Sequence, residues 1–238
     1  MKQGLPAALI VLSAAISIYG QDPSSKHNPR PNQTSTPATP ITNTTANTDP
    51  VKYTYEFSQP KFYVKHIVIE HDANGRGTVT FERMNEDVSV TEPLALSPAA
   101  LARINASWQA LQFLDSTADY QADKQFPHLG TMRIGMQRGE KKRVAEFNWT
   151  NNTDAETLVN EYRKAADQTI LVFDISIARQ NQPLNAPKLM EGMESLLKRN
   201  ALSDPEQLLP LLKELSTDER VPLIARNHAL RLIKKIQK

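Results

Sequence analysis

The sequence predicts an α+β protein: an antiparallel sheet of about five strands packed with helices, followed by a C-terminal antiparallel helical subdomain. Three observations carry this. Strand-like alternation fills about 51–150, one strongly periodic helix occupies Thr153–Phe173, and from 181 onward the chain reads only as helix.

Met1–Gly20 has the layout of an export leader, with Lys2 ahead of the apolar run Leu5–Ile18 and a cleavage point after Ile18-Tyr19-Gly20. The run is shorter than the ~18–20 apolar residues of a spanning helix, so cleavage is expected rather than permanent anchoring. The chain has no cysteine, which excludes a lipid-anchored precursor, disulfides, thiol nucleophiles and thiolate metal sites. A secreted or periplasmic protein follows. Gln21–Pro50 is dominated by Pro, Thr, Asn and Ser, and Ile41 is its one large aliphatic residue. Such a segment buries too little apolar surface to offset the entropy of ordering it, so a disordered spacer is expected. Its sequons, Asn32-Gln33-Thr34 and Asn43-Thr44-Thr45, would make it a glycosylated stalk only in a glycosylating cell.

Residues 51–180 are expected to form the α+β domain. In Lys52–Ser58, Tyr53, Tyr55 and Phe57 alternate with Thr54 and Glu56, the pattern of a half-buried strand. Phe62–His71 carries Ile67-Val68-Ile69, apolar on both faces, and is placed centrally. Asn74-Gly75 turns the chain into Thr78–Arg83, and a further turn leads to Val88–Thr91. Ser97-Pro98 opens a helix whose buried stripe is Leu101, Ile104, Trp108 and Leu111. Thr131–Gln137 and Arg143–Trp149 make a second hairpin, with Trp149 expected in the core beside Phe147. In Thr153–Phe173, Ala155, Leu158, Val159, Tyr162, Ala166, Thr169, Ile170 and Phe173 fall on one stripe, and Thr153 with Glu156 reads as a capping box. This helix is expected to run on until Asn181-Gln182-Pro183 and to join the sheet to the tail.

The tail, 181–238, divides into Pro187–Arg199, Asp204–Leu215 and Asp218–Ile236. Ser203 with Glu206 and Ser216 with Glu219 are read as capping boxes for the last two. Residues 204–236 resemble a single HEAT-type helical repeat. Leu208-Leu209-Pro210-Leu211-Leu212 stands in the first helix, and Ala225, Ala229, Leu230 and Ile233 are the buried positions of the second. Solenoids share a core among about three or more repeats, so a lone unit must pack on the sheet domain or on another protein. The β-rich part, with its apolar strand–Asn-Gly–apolar strand hairpin, resembles bacterial exported domains of unknown function, a resemblance that implies no activity.

The formal charge of +2, which drops by one if Lys2 leaves with the leader, argues against nucleic acid as a partner. His66 and His71 lie five apart on a strand and so face opposite sides, and they cannot readily share a metal ion with Glu70. Asp72-Ala73-Asn74-Gly75 lacks the remaining ligands of a calcium loop. There is no Gly-x-Ser-x-Gly elbow, His-Glu-x-x-His pair, P-loop or dinucleotide pattern, and only 8 glycines with which to cradle a phosphate. No cofactor, metal or catalytic residue is therefore assigned. Arg138, Lys141, Lys142 and Arg143 form a basic hairpin tip, and Arg226, Arg231, Lys234 and Lys235 make the last helix basic. Either group suits an acidic partner, or a solvated turn and a favourably charged helix C-terminus. The sequence thus supports an exported, non-enzymatic protein that binds another protein of the envelope or extracellular space through its tail and an exposed sheet edge. Two alternatives stand beside it: a hydrolase built from scattered groups such as His66, His128 and Asp123, and an inhibitor of a secreted protease acting through the Arg138–Arg143 tip.

Overall fold

The computed structural model describes residues 49–238. The expected leader at 1–20 and nearly all of the spacer at 21–50 lie outside the described residues. The class is α+β. Six strands, β1 (Val51–Ser58), β2 (Val64–Asp72), β3 (Arg76–Arg83), β4 (Val90–Ala95), β5 (Thr131–Arg138) and β6 (Lys141–Phe147), make one antiparallel sheet in the order β4-β3-β2-β1-β5-β6. β1 and β2 are central, as their apolar content requires. β4 contains Pro93 and buries only Leu94, a composition that an edge strand tolerates and a central one does not. The helices are α1 (Pro98–Ala110), α2 (Thr153–Asn181), α3 (Ala186–Lys198), α4 (Leu209–Thr217) and α5 (Leu223–Ile236). None in the described residues is long and apolar enough to cross a membrane.

Alternation gives the sheet one dry face and one wet one. Tyr55, Ile69, Val79, Phe81 and Ile134 are buried beneath α1 and α2. On the opposite face Lys52 meets Glu70 at 2.8 Å, Lys65 meets Glu82 at 3.5 Å, and Arg133 bridges Glu56 and Glu146. These are solvated pairs, each worth at most about 1 kcal/mol, and they keep an uncovered face soluble. His66 belongs there, 3.0 Å from Glu56, whereas His71 points into the core.

At His71 the core is polar and fully bonded. Its Nδ1 lies 2.7 Å from the Asp72 carbonyl, so that nitrogen donates. In the neutral ring Nε2 must then accept, and the Tyr162 hydroxyl donates to it at 2.8 Å. The same oxygen accepts from the Trp108 indole N–H at 3.0 Å. One chain of hydrogen bonds thereby ties β2 to α2 and α2 to α1. Tyr53 stacks on the His71 ring at 4.9 Å and completes the cluster.

α2 belongs to two cores. Ala155, Leu158, Val159, Tyr162, Ala166 and Ile170 face the sheet, while Leu171 and Ile175 join Met190, Met193, Leu208, Leu212, Ala225 and Leu232 of the tail. The tail also bonds directly to the rest. Arg103 links the buried Glu161 carboxylate and the Ser203 carbonyl, both at 2.8 Å. Gln168 accepts from the Asp204 N–H at 2.9 Å and meets Gln207 at 3.1 Å.

The capping boxes need correction. Asn152, one residue before Thr153, caps α2 by accepting from Asp154 and Ala155 at 3.1 and 2.9 Å. Asp204 rather than Ser203 accepts from Glu206, at the start of a 3₁₀ turn Pro205–Leu208. Ser216 caps nothing: Asp218 binds Arg179 and Arg220 in a turn, and Pro222 delays α5 to Leu223. Proline disfavours helical backbone in the residue before it, here Val221.

Replacing Tyr162 with Phe leaves the Trp108 N–H without its acceptor and His71 Nε2 without its donor. Chemical denaturation is expected to show a loss of about 1–3 kcal/mol. Burial lowers the His71 pKa below its ordinary 6.5, against the raising effects of the Asp72 carbonyl bond and the Asp72 charge. The unfolded chain therefore takes up the proton first, and this part of the stability, full at neutrality, falls as the pH drops below about 6.5 toward the lowered value. Urea midpoints between neutrality and about pH 5 should decline more steeply in the parent than in His71→Gln, which has no such titration. Equal slopes would contradict it.

Candidate functional site

α1 sits over the end of the sheet that holds the β2–β3 turn, where Trp108 meets Tyr53 and Leu101 approaches Gly75. At the opposite end a groove of about 680 Å³ lies between α2 and the sheet. Its floor is apolar: Phe57, Ile67, Met132 and Phe147 from the strands, and Val159 from α2. Its lips are the aromatic residues Phe62 and Tyr63 of the β1–β2 turn and Trp149 after β6, exposed by 44, 61 and 41 %. Large aromatic side chains exposed to this degree stand directly beside a dry floor.

The lips are held from behind. The buried Gln59 side chain donates to the Pro127 and His128 carbonyls at 3.0 and 2.9 Å, which fixes the β1–β2 turn against the 3₁₀ turn Pro127–Leu129. Asn148 accepts from the Phe126 N–H at 3.0 Å, and the Trp149 carbonyl accepts from Ala122 at 2.9 Å. Phe126 meets the Trp149 ring edge-on at 5.2 Å. Trp149 is thus not the core residue that its alternation with Phe147 predicts. β6 ends at Phe147, these contacts redirect the chain, and the period-two pattern does not extend to Trp149.

The polar groups of the groove come from α2 and β1. Glu156, Asn160, Arg163 and Asp167 recur at helical spacing along one edge of α2. The half-buried Arg163 guanidinium lies 5.4 Å from the Phe57 ring centre and donates to the Met132 sulfur at 3.5 Å. Among the described residues no carboxylate lies within 4 Å of it. Behind it the Tyr55 hydroxyl is sealed from water; the Arg163 donors approach its oxygen without making a well-formed bond, and its proton has no acceptor among the described residues. Burial pushes the Tyr55 pKa up to about 12, although the charge and nearby donors of Arg163 pull it down. Asp167 is exposed at the mouth. Crowding by protein raises its carboxyl pKa against the pull of Arg163 and Arg199, and open solvent limits that effect.

This arrangement can hold an apolar body and offer it a few polar contacts. It contains no acid–base pair set to work on a substrate, and no histidine lines it. Among the described residues no group of three or more His, Asp or Glu side chains is placed to hold a metal ion. His66 is engaged by Glu56 on the wet face, His128 sits in the 3₁₀ turn and Asp123 lies in the preceding loop; none of the three lines the groove.

The basic residues singled out in the sequence have other surroundings. Arg143 donates to the Phe113 and Ala118 carbonyls at 2.7 and 2.5 Å and lies over the Phe113 ring, so it holds the 113–120 loop to the sheet. Lys141 pairs with Asp115 at 3.1 Å, and Arg138 and Lys142 are exposed. On α5, Arg226 is half-buried, Lys235 lies 3.7 Å from Glu194, and Arg231 and Lys234 are exposed. None of these residues lines the groove. The groove residues missed in the sequence are Phe62, Tyr63, Arg163 and Tyr55. Phe62-Tyr63 beside Pro60 was one available signal, since adjacent aromatics at a turn cannot both be buried by one sheet face.

No protein-family model matches the chain, and no curated protein compared with it is similar at a significant level.

Trp149 and Trp108 differ sharply in exposure, 41 against 3 %, which makes the lip optically visible. Acrylamide should quench one part of the tryptophan emission readily and leave the other nearly untouched. Trp149→Phe should abolish the quenchable part alone.

Proposed function

We propose that the protein is a non-enzymatic binding protein, exported as its leader implies, whose ligand lies with an apolar body in the groove beside α2. The observation that carries this reading is the wet aromatic lip, Phe62, Tyr63 and Trp149, around a dry floor. A volume of about 680 Å³ falls within the roughly 300–1,000 Å³ common for ligand clefts, and a mostly apolar lining with a few polar groups is their usual make-up.

A second reading keeps the protein partner at the tail. It rests on Leu184, Leu223 and Ile224, which are 83, 61 and 67 % exposed. Deleting 184–238 would be a poor test, because it strips the cover from Leu171 and Ile175 of α2. Leu223→Ser with Ile224→Ser alters the surface alone, and loss of partner capture in that variant with dye binding intact would favour the tail.

The groove is tested with the uncharged fluorophore phenylnaphthylamine and the purified protein. Saturable binding is expected, with a change in Trp149 emission. Asn160→Trp places a large side chain in the mouth from an exposed position and should weaken binding about tenfold or more without lowering the urea midpoint. Dye binding that ignores this substitution would sink the groove as the binding site.

A further inference from the structure

Resting on the groove reading, we infer that its ligand is an amphipathic organic acid, with a carboxylate head at Arg163 and an apolar body along Phe57, Met132 and Trp149.

The polar groups of the inner groove are donors. Among the described residues the Arg163 guanidinium donates to the Met132 sulfur, a weak acceptor, and otherwise comes near only the Tyr55 hydroxyl oxygen. The Tyr55 hydroxyl, closed to solvent behind Arg163, has no acceptor for its own proton among the described residues, a state that costs free energy. Two neighbouring donors without a good acceptor among the described residues are the complement of a group with two acceptor oxygens. A carboxylate supplies that: it takes paired bonds from a guanidinium in one plane, and it leaves lone pairs for a hydroxyl. Phe57 lies under the guanidinium and holds it by a cation–π contact, so no counter-charge is needed to keep the donors in place.

Charge at the mouth bears on the choice of head group. Lys61, Glu156 and Asp167 also line the groove, and both carboxylates are exposed. A cationic ligand drawn to them would set its charge beside Arg163. A neutral oxygen would answer the inner donors only with weaker, uncharged bonds. An anion satisfies the donors and suffers only a solvent-screened repulsion from the two carboxylates. Asp167, one turn along α2, is the internal competitor for Arg163, so its removal should help an anion.

The test uses displacement of phenylnaphthylamine by octanoate, octanol and octyltrimethylammonium, which share a chain and differ in the head. Octanoate is expected to compete about tenfold to a hundredfold better than octanol. Arg163→Gln should bring octanoate down to the octanol level and leave octanol unchanged. Asp167→Asn should improve octanoate. Tyr55→Phe removes an unpaired hydroxyl, so it should not lower the urea midpoint, yet it should weaken octanoate more than octanol. If octanol matches octanoate, if the ammonium competes best, or if none displaces a dye that still responds to Asn160→Trp, the carboxylate inference is overturned and the groove reading survives. If the dye itself does not report on the groove, that reading fails first.

Discussion

The constraint on which this structure depends is the length of α2. At 29 residues it is about 44 Å long, whereas an eight-residue strand such as β1 spans about 27 Å. A helix that follows the sheet must therefore overshoot it. Its first part is covered by the strands through Ala155, Leu158, Tyr162 and Ala166. Beyond Ile170 one edge of the helix still meets β3, where Phe173 packs on Phe81 and Asp174 bonds Arg83, while Leu171 and Ile175 turn to the second core. An exposed stripe of that length would be a severe liability, and α3, α4 and α5 remove it. The tail is thus the second half of the same burial problem, and Arg103, Gln168 and Gln207 lock the two halves at the changeover.

Two stacked tyrosines show how differently one side chain is used in two places. The rings of Tyr55 and Tyr162 are nearly parallel, 5.2 Å apart, and both are fully buried. Tyr162 has a donor on one side and an acceptor on the other, and its hydroxyl fixes the neutral tautomer of His71. Tyr55 has neither. Arg83, Asn105 and Arg226 also hold a buried polar atom without a partner among the described residues, and of the four only Tyr55 lies beside the apolar groove.

Much of the fold was legible in the sequence because its signals are local. The alternation of Tyr53, Tyr55 and Phe57, the helical stripe from Ala155 to Phe173, and Ser97-Pro98 at the start of α1 each report a burial pattern within one element. Errors arose where several residues compete for one role. Asn151, Asn152 and Thr153 can all cap a helix, and only the chain path selects Asn152. Ser216 and Glu219 have capping-box spacing, yet Asp218 binds Arg179 from another helix and holds the segment as a turn. The groove was not legible at all. Its parts come from Phe62, Met132, Trp149 and Arg163, scattered over about a hundred residues of sequence and joined only by sheet register. The basic clusters, which were legible, belong to other surfaces. Arg143 in particular is engaged by the 113–120 loop.

The identity of the cation at the inner groove also has a physical basis. A lysine at 163 would be a compact, strongly hydrated charge on a flexible stem, and burying it beside Phe57 without a counter-ion would drive it toward the neutral amine. A guanidinium stays charged when half-buried, spreads its charge over a plane that lies well on an aromatic face, and loses less hydration. Arg163 is in addition on a helix whose own packing fixes the backbone, with Tyr162 beside it anchored by His71 and Trp108. The polar network of the core and the open groove are therefore adjacent consequences of one helical turn. Tyr162 turns inward and is satisfied by the protein, while Arg163 turns toward the groove with its charge unpaired among the described residues.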